Sequence, residues 1–253
     1  MLTSFAATLE NPTGNGRITL EKKTMGASRI INAPSLANLG LLDFGREVEE
    51  LAQAGVPWFH VDIMDGHYVP NLCLPIRVVG ELKQQYPAIE VDVHLMVTDP
   101  MDYLSQLAEN RADWVSFHMD ATNFSRRVLA TIRERGMKAG VVINPSQPIS
   151  VLEPLIRFLD YVVLMTVEPG YAGQRFMVDS LPRVSELVAL REKHGLNFLI
   201  SIDGGIDTPN AIECARRGAE IYVTGIYTVL RQPDGNVEAC RRFQRTLEEA
   251  VGL

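Results

Sequence analysis

Residues 58–66 read WFHVDIMDG, a β-rich run (58–63) that closes on Met64-Asp65-Gly66. Side chains alternate along a strand, so His60, Asp62 and Met64 share one face while Val61 and Ile63 take the other, apolar, face. Residues 90–96, EVDVHLM, repeat the design, with Asp92, His94 and Met96 in phase. Residues 201–205, SIDGG, place Ser201 and Asp203 together ahead of two glycines. Charged groups inside a fold cost several kcal/mol unless they are paired or metal-bound. Three strands that end this way need a fold that brings their ends to one place.

The flanking sequence supplies one. Strand-like runs recur at 29–33, 58–63, 90–95, 114–118, 139–144, 161–165, 198–203 and 221–225. Helix-like stretches lie between them, among them 44–55, 101–110, 124–136 and 181–195. Gly55, Gly136, Gly195 and Gly218 follow such stretches as helix C-caps do. Eight strands, each followed by a helix, predict an α/β fold with one parallel sheet closed into a (β/α)8 TIM barrel. The chain has 253 residues, and such barrels take about 250. The rival is an open doubly wound sheet, but no GxGxxG follows the first strand. In a barrel, chemistry belongs at the C-terminal strand ends, where His60, Asp62, His94 and Asp203 stand. Residues 1–28 differ: they carry Pro12, Gly14 and Gly16 with no clear period. They read as an N-terminal extension, loose or draped, ahead of a catalytic domain over 29–253.

Composition narrows the function classes. A net charge of −7 without a dense Lys/Arg block argues against nucleic acid as a partner. No apolar run approaches the roughly 20 residues of a membrane helix, and residues 1–23 do not read as a signal peptide. Cys73, Cys214 and Cys240 are far apart with no CxxC, which fits free thiols in a reducing cytoplasm.

Each H-x-D or D-x-H element alone is more often a satisfied structural pair than a ligand set. Together, on three strands, two imidazoles and two carboxylates suit one divalent cation, Zn2+, Fe2+, Mn2+ or Co2+. His67, His118 and His194 read as non-ligands. Glycine-rich loops follow the last three strands: Glu168-Pro169-Gly170-Tyr171-Ala172-Gly173, Asp203-Gly204-Gly205 and Thr224-Gly225. Any one of them is an ordinary turn. Three adjacent ones form a candidate phosphate cradle, since glycine lets backbone N–H groups approach an anion.

The ordered motifs APSL (33–36), FHVDIMDGHYVPN (59–71), DVHLMV (92–97), INP (143–145), MTVEPGYAGQRF (165–176) and SIDGGI (201–206) resemble the ribulose-phosphate 3-epimerase family over nearly all of 29–230. The resemblance implies a ribulose-phosphate-binding barrel that inverts C3 of a phosphorylated ketose. It implies metal ligation by His60, Asp62, His94 and Asp203, with Asp62 and Asp203 as acid and base. Ser35 would contact substrate, Met64, Met96 and Met165 would line the site, and Gly170, Ala172, Gly173, Gly204, Gly205, Gly225 and Ile226 would hold the substrate and its phosphate. A homo-oligomer, dimer or hexamer, is implied too. Three places depart from the family pattern: Ile226 replaces a small hydroxyl residue, Gly40 replaces an Asp, and residues 71–75 read NLCLP. With Ala172 they lean toward a D-allulose 6-phosphate branch, so the reading preferred from the resemblance, interconversion of D-ribulose 5-phosphate and D-xylulose 5-phosphate, has D-allulose 6-phosphate with D-fructose 6-phosphate as its alternative. A non-catalytic sugar-phosphate binder predicts missing acid/base groups, and both Asp are present. A metal-dependent hydrolase on the same barrel is the third class.

Overall fold

The computed structural model describes residues 7–10, 17–20 and 30–253. Two short strands, β1 (Ala7–Glu10) and β2 (Arg17–Leu20), pair antiparallel. The rest of the expected extension, and residue 29 of the expected barrel domain, lie outside the described residues. Eight parallel strands then form the barrel: β3 (Ile31–Pro34), β4 (Trp58–Met64), β5 (Glu90–Met96), β6 (Trp114–His118), β7 (Lys138–Ile143), β8 (Tyr161–Met165), β9 (Leu199–Asp203) and β10 (Ile221–Thr224). Their order is β3-β10-β9-β8-β7-β6-β5-β4. A parallel bridge between Ser35 and His60 joins the first barrel strand to the second, so the ring nearly closes.

The helices are α1 (Phe44–Gln53), α2 (Arg77–Gln85), α3 (Leu104–Glu109), α4 (Ser125–Glu134), α5 (Ser180–Lys193), α6 (Thr208–Arg216) and α7 (Gly235–Val251). One expected helix is missing. After β7 the chain makes only two 3-10 turns, Ile149–Leu152 and Ile156–Phe158. Pro145, Pro148 and Pro154 fall in this stretch, and a proline lacks the N–H a helix interior needs. The first barrel strand also sits later than 29–33, because its ladder to β10 runs from Ile31 opposite Ile221 to Pro34 opposite Thr224. The helix expected at 101–110 opens as a 3-10 turn at Pro100–Tyr103, with the Asp99 carboxylate accepting the Met101 N–H. No helix among the described residues is long and apolar enough to cross a membrane.

Strand alternation divides the apolar side chains into two cores. Val61, Ile63, Val91, Val93 and Leu95 face outward and pack on helix residues such as Leu51, Leu82 and Leu129. Each fully buried side chain of this kind contributes about 1.5–3 kcal/mol. Inside the ring, Trp58, Trp114 and Tyr161 form a floor with Val142 and Val163. The two indoles lie 4.5 Å apart, and Tyr161 meets Trp114 edge-on at 5.3 Å. Gly140 leaves room for that tyrosine, for a Cβ there would sit 2.3 Å from the ring.

The N-terminal strand ends carry a repeated clamp. Asp113, Asp160 and Glu220 each stand one residue ahead of a strand: β6, β8 and β10. Each accepts an N–H from the neighbouring strand, from Val91 at 2.8 Å, Ala139 at 2.9 Å and Ile200 at 2.9 Å. Each also pairs with a basic side chain of α2, α4 or α5, Lys83 at 2.7 Å, Arg133 at 3.2 Å and Arg191 at 2.6 Å.

Candidate active site

At the opposite, C-terminal, end β4, β5 and β9 bring His60, Asp62, His94 and Asp203 together. One ligand atom from each lies within 4.8 Å of all the others. Asp62 Oδ1 is 3.4 Å from His60 Nε2 and 3.3 Å from His94 Nδ1. Asp203 Oδ2 is 3.6 Å and 3.2 Å from the same two nitrogens. Yet His60 Nε2 and His94 Nδ1 are buried and make no hydrogen bond. The atoms are close, but they do not point at one another as donor and acceptor. Metal bonds of roughly 2.0–2.2 Å place tetrahedral ligand atoms about 3.4 Å apart. Spacing, donor chemistry and orphaned nitrogens therefore all fit one divalent cation.

Burial and charge act against each other here. Burial disfavours the charged form of His60, but the carboxylates of Asp62 and Asp92 raise its pKa well above the ordinary value. Burial likewise opposes charge on His94, and contacts to Asp203 and Asp62 raise it. Burial pushes Asp62 up, but the charge on His60 and the contacts to both imidazoles take it well below the usual carboxylate range. The site thus concentrates paired charge in a dry interior, where electrostatic interactions are strongest.

Three further residues contact this cluster, Asp92 and His118 from behind and Ser35 from the cleft side. Asp92 is fully buried, with Oδ2 2.7 Å from His60 Nδ1 and Oδ1 2.5 Å from the Tyr161 hydroxyl. His118 reads as a bystander in the sequence, but its Nε2 lies 2.8 Å from His94 Nε2. The phase of Asp92 with His94 and the position of His118 at a strand end were the available signals. Neither names a partner, because the partner sits on another strand. Ser35 reaches the cluster from β3, donating its hydroxyl to Asp62 Oδ2 at 2.7 Å. His67 is exposed and bonds the Asp65 carbonyl, and His194 ends α5.

Every expected site residue except the deeper His60 lines one cleft above the cluster. Met64, Met96 and Met165 form its apolar wall, with Met96 and Met165 each 3% exposed. Gly170, Ala172 and Gly173 come from the β8 loop, Gly204 and Gly205 from the β9 loop, and Gly225 and Ile226 from the β10 loop. Gly204 and Gly205 have φ of +122° and +60°, and a Cβ on Gly205 would lie 2.4 Å from the Gln174 carbonyl oxygen. Only glycine lets these loops approach so closely. The Tyr227 hydroxyl donates to the Gly173 carbonyl at 2.7 Å, tying the β10 and β8 loops together. The Gly225 N–H is engaged by Thr228 Oγ1 at 3.3 Å, which leaves Ile226 as the next N–H of that turn.

Stable folds rarely leave two imidazole nitrogens stranded among carboxylates, and enzymes do so where a ligand completes the set. Placed at the loop end of the strands, this arrangement defines the class: a (β/α)8-barrel enzyme. A profile of the ribulose-phosphate 3-epimerase family matches residues 31–229, and the chain belongs to that family of carbohydrate epimerases. It is 37% identical over 193 residues to a ribulose-phosphate 3-epimerase of Treponema pallidum, covering 76% of this chain and 88% of that one. A Bacillus subtilis relative bearing the same name is 36% identical over 194 residues, covering 76% and 89%. Among solved structures, 3-hexulose-6-phosphate synthase from Salmonella typhimurium superposes with a TM-score of 0.64 at 15% identity, over 87% of this chain and all of that one. At that identity the likeness speaks for the barrel alone.

Proposed function

We propose that this chain interconverts D-ribulose 5-phosphate and D-xylulose 5-phosphate, using Asp62 and Asp203 as the two proton-transfer groups and one divalent cation held by His60, Asp62, His94 and Asp203. The observation that carries the reading is the pair of carboxylates reaching one point from β4 and β9, each within 3.2–3.6 Å of the same two orphaned imidazole nitrogens. Inverting C3 requires one base to take a proton from one face and one acid to return a proton on the other. Two carboxylates from separate strands supply that pair. They must hold different protonation states at one time, and their surroundings differ: Asp62 is bonded by Ser35, while Asp203 opens on the glycine loops. When bound, a divalent cation supplies Lewis-acid stabilisation for negative charge that develops on the ketose oxygens.

The chain's other residues hold the substrate. Met64, Met96 and Met165 exclude water above the cluster, which strengthens the electrostatics there. Backbone N–H groups of the loops carrying Gly170, Ala172, Gly173, Gly204, Gly205, Gly225 and Ile226 receive the phosphate. Ser35 holds Asp62 in place while facing the cleft. We infer a homo-oligomer, dimer or hexamer, by the family resemblance.

A second reading, D-allulose 6-phosphate with D-fructose 6-phosphate, rests on Ile226, Gly40, Ala172 and residues 71–75, of which Ile226 and Ala172 line the cleft. Comparing kcat/KM for both ketose phosphates on one metal-loaded sample decides between them. The expected outcome is faster turnover of D-ribulose 5-phosphate, loss of activity on chelation, and recovery with Zn2+, Fe2+, Mn2+ or Co2+. Turnover of neither ketose phosphate overturns the proposal.

A further inference from the structure

We propose that Asp92 with Tyr161, and His118 with Asn144, are positioning residues that fix opposite ring tautomers on the two histidines, so that His60 faces the cation through Nε2 and His94 through Nδ1. The inference rests on the metal reading above and adds which atoms ligate and what sets them. A neutral imidazole carries one N–H and one lone pair, and only the lone-pair nitrogen can bind a metal. Its other nitrogen must therefore donate.

For His60 that donation goes to Asp92. Oδ1 of Asp92 accepts the Tyr161 hydroxyl at 2.5 Å and Oδ2 faces His60 Nδ1 at 2.7 Å. A carboxylate is acceptor-only, and this one is wholly buried with no partner but these two. It is an acceptor on both sides, which assigns the proton to Nδ1 and leaves Nε2 bare. Trp114 stands opposite Asp92 in the β5–β6 ladder, and the carboxylate is kept dry at 0% exposure.

For His94 the direction is set from the rim inward. The Asn144 amide donates through Nδ2 to Asp120 Oδ2 at 3.1 Å and to the Tyr68 hydroxyl at 2.8 Å. The Tyr68 hydroxyl in turn donates to Asp120 Oδ1 at 2.8 Å. Both amide hydrogens are then committed, so Asn144 offers only Oδ1 to the interior. Oδ1 of Asn144 and Nδ1 of His118 are both buried without a hydrogen-bond partner, and the Asn144 side chain lies close enough to act on the His118 ring, so the two are complementary as carbonyl and N–H. A proton on His118 Nδ1 makes its Nε2 an acceptor, 2.8 Å from His94 Nε2. His94 must donate there, and Nδ1 is left to ligate.

Long-range 1H–15N correlation spectra of zinc-loaded protein test this directly, since the chain has five histidines to resolve. The expected spectrum shows His60 protonated at Nδ1 and His94 at Nε2, one ring of each tautomer. Two metal-bound histidines of the same tautomer overturn the proposal. Chelator competition gives a second measure: Asp92→Asn should weaken zinc binding on the order of 10–100-fold, with Tyr161→Phe in the same direction and smaller. Tyr161→Phe keeps the ring in the floor, so it carries the measurement if Asp92→Asn does not fold. Zinc affinity unchanged in these variants overturns the positioning role while leaving the metal reading intact. A wild-type protein that takes up no zinc overturns the metal reading itself.

Discussion

The two ends of this barrel treat charge in opposite ways. At the N-terminal strand ends, Asp113, Asp160 and Glu220 each find a strand N–H and a basic side chain. At the C-terminal ends, Asp62 and Asp203 converge on two imidazole nitrogens that bond to nothing. Both sets are carboxylates at strand ends, yet one is closed by the protein and the other is left for something else to close. Satisfied ionic groups hold a fold together, while unsatisfied ones mark where it spends stability on chemistry.

The largest expected effect lies at the open end. Asp203→Asn should lower kcat roughly a hundred- to ten-thousandfold, the range of a lost acid/base group, with circular dichroism and the metal-free Tm little changed. If kcat survives, the open end is not where the chemistry happens. At the closed end, Asp113→Ala removes the partner of Lys83, which is 9% exposed. A broken buried pair costs about 3–5 kcal/mol, and partial exposure of the carboxylate reduces this to about 2–3 kcal/mol in urea unfolding, with kcat per folded molecule unchanged. A fall in kcat without a fall in stability would erase the distinction between the ends.

The smallest effect falls on the rim. Asp65 receives N–H bonds from His67, Tyr68 and Thr98, and the Thr98 hydroxyl. Partial burial pushes its carboxyl up, but these bonds outweigh that and hold it at about 2. Because the folded pKa lies below the unfolded value, its contribution is full above about pH 4 and is lost as pH falls through about 2. Asp65→Asn should cost about 1 kcal/mol at neutral pH, after solvent screening, and progressively less across that acid window, read as the Tm gap from wild type.

Much of this was legible in the chain because strand alternation is a local rule. His60-Val61-Asp62 and Asp92-Val93-His94 state which side chains share a face, and the barrel brings those faces together. Gly55, Gly136, Gly195 and Gly218, read as helix caps, take φ between +62° and +101°. What was hidden depends on neighbours distant in sequence. Tyr161 meets Asp92 across 69 residues, and His118 meets His94 across 24. Such pairs are set by strand stagger around the ring, which no single strand encodes. The missing helix after β7 was legible in principle, in the three prolines of 145–154, but the β/α rhythm of the other units hid it.

The barrel floor has a photophysical consequence. Trp58 and Trp114 are the chain's two tryptophans, and they stack face to tilted face beneath Asp92 with Tyr161 against them. The tryptophan emission of this protein therefore originates from one closely packed indole pair at the base of the ring. It is a built-in optical gauge of that interior layer, silent about loops and helix surfaces.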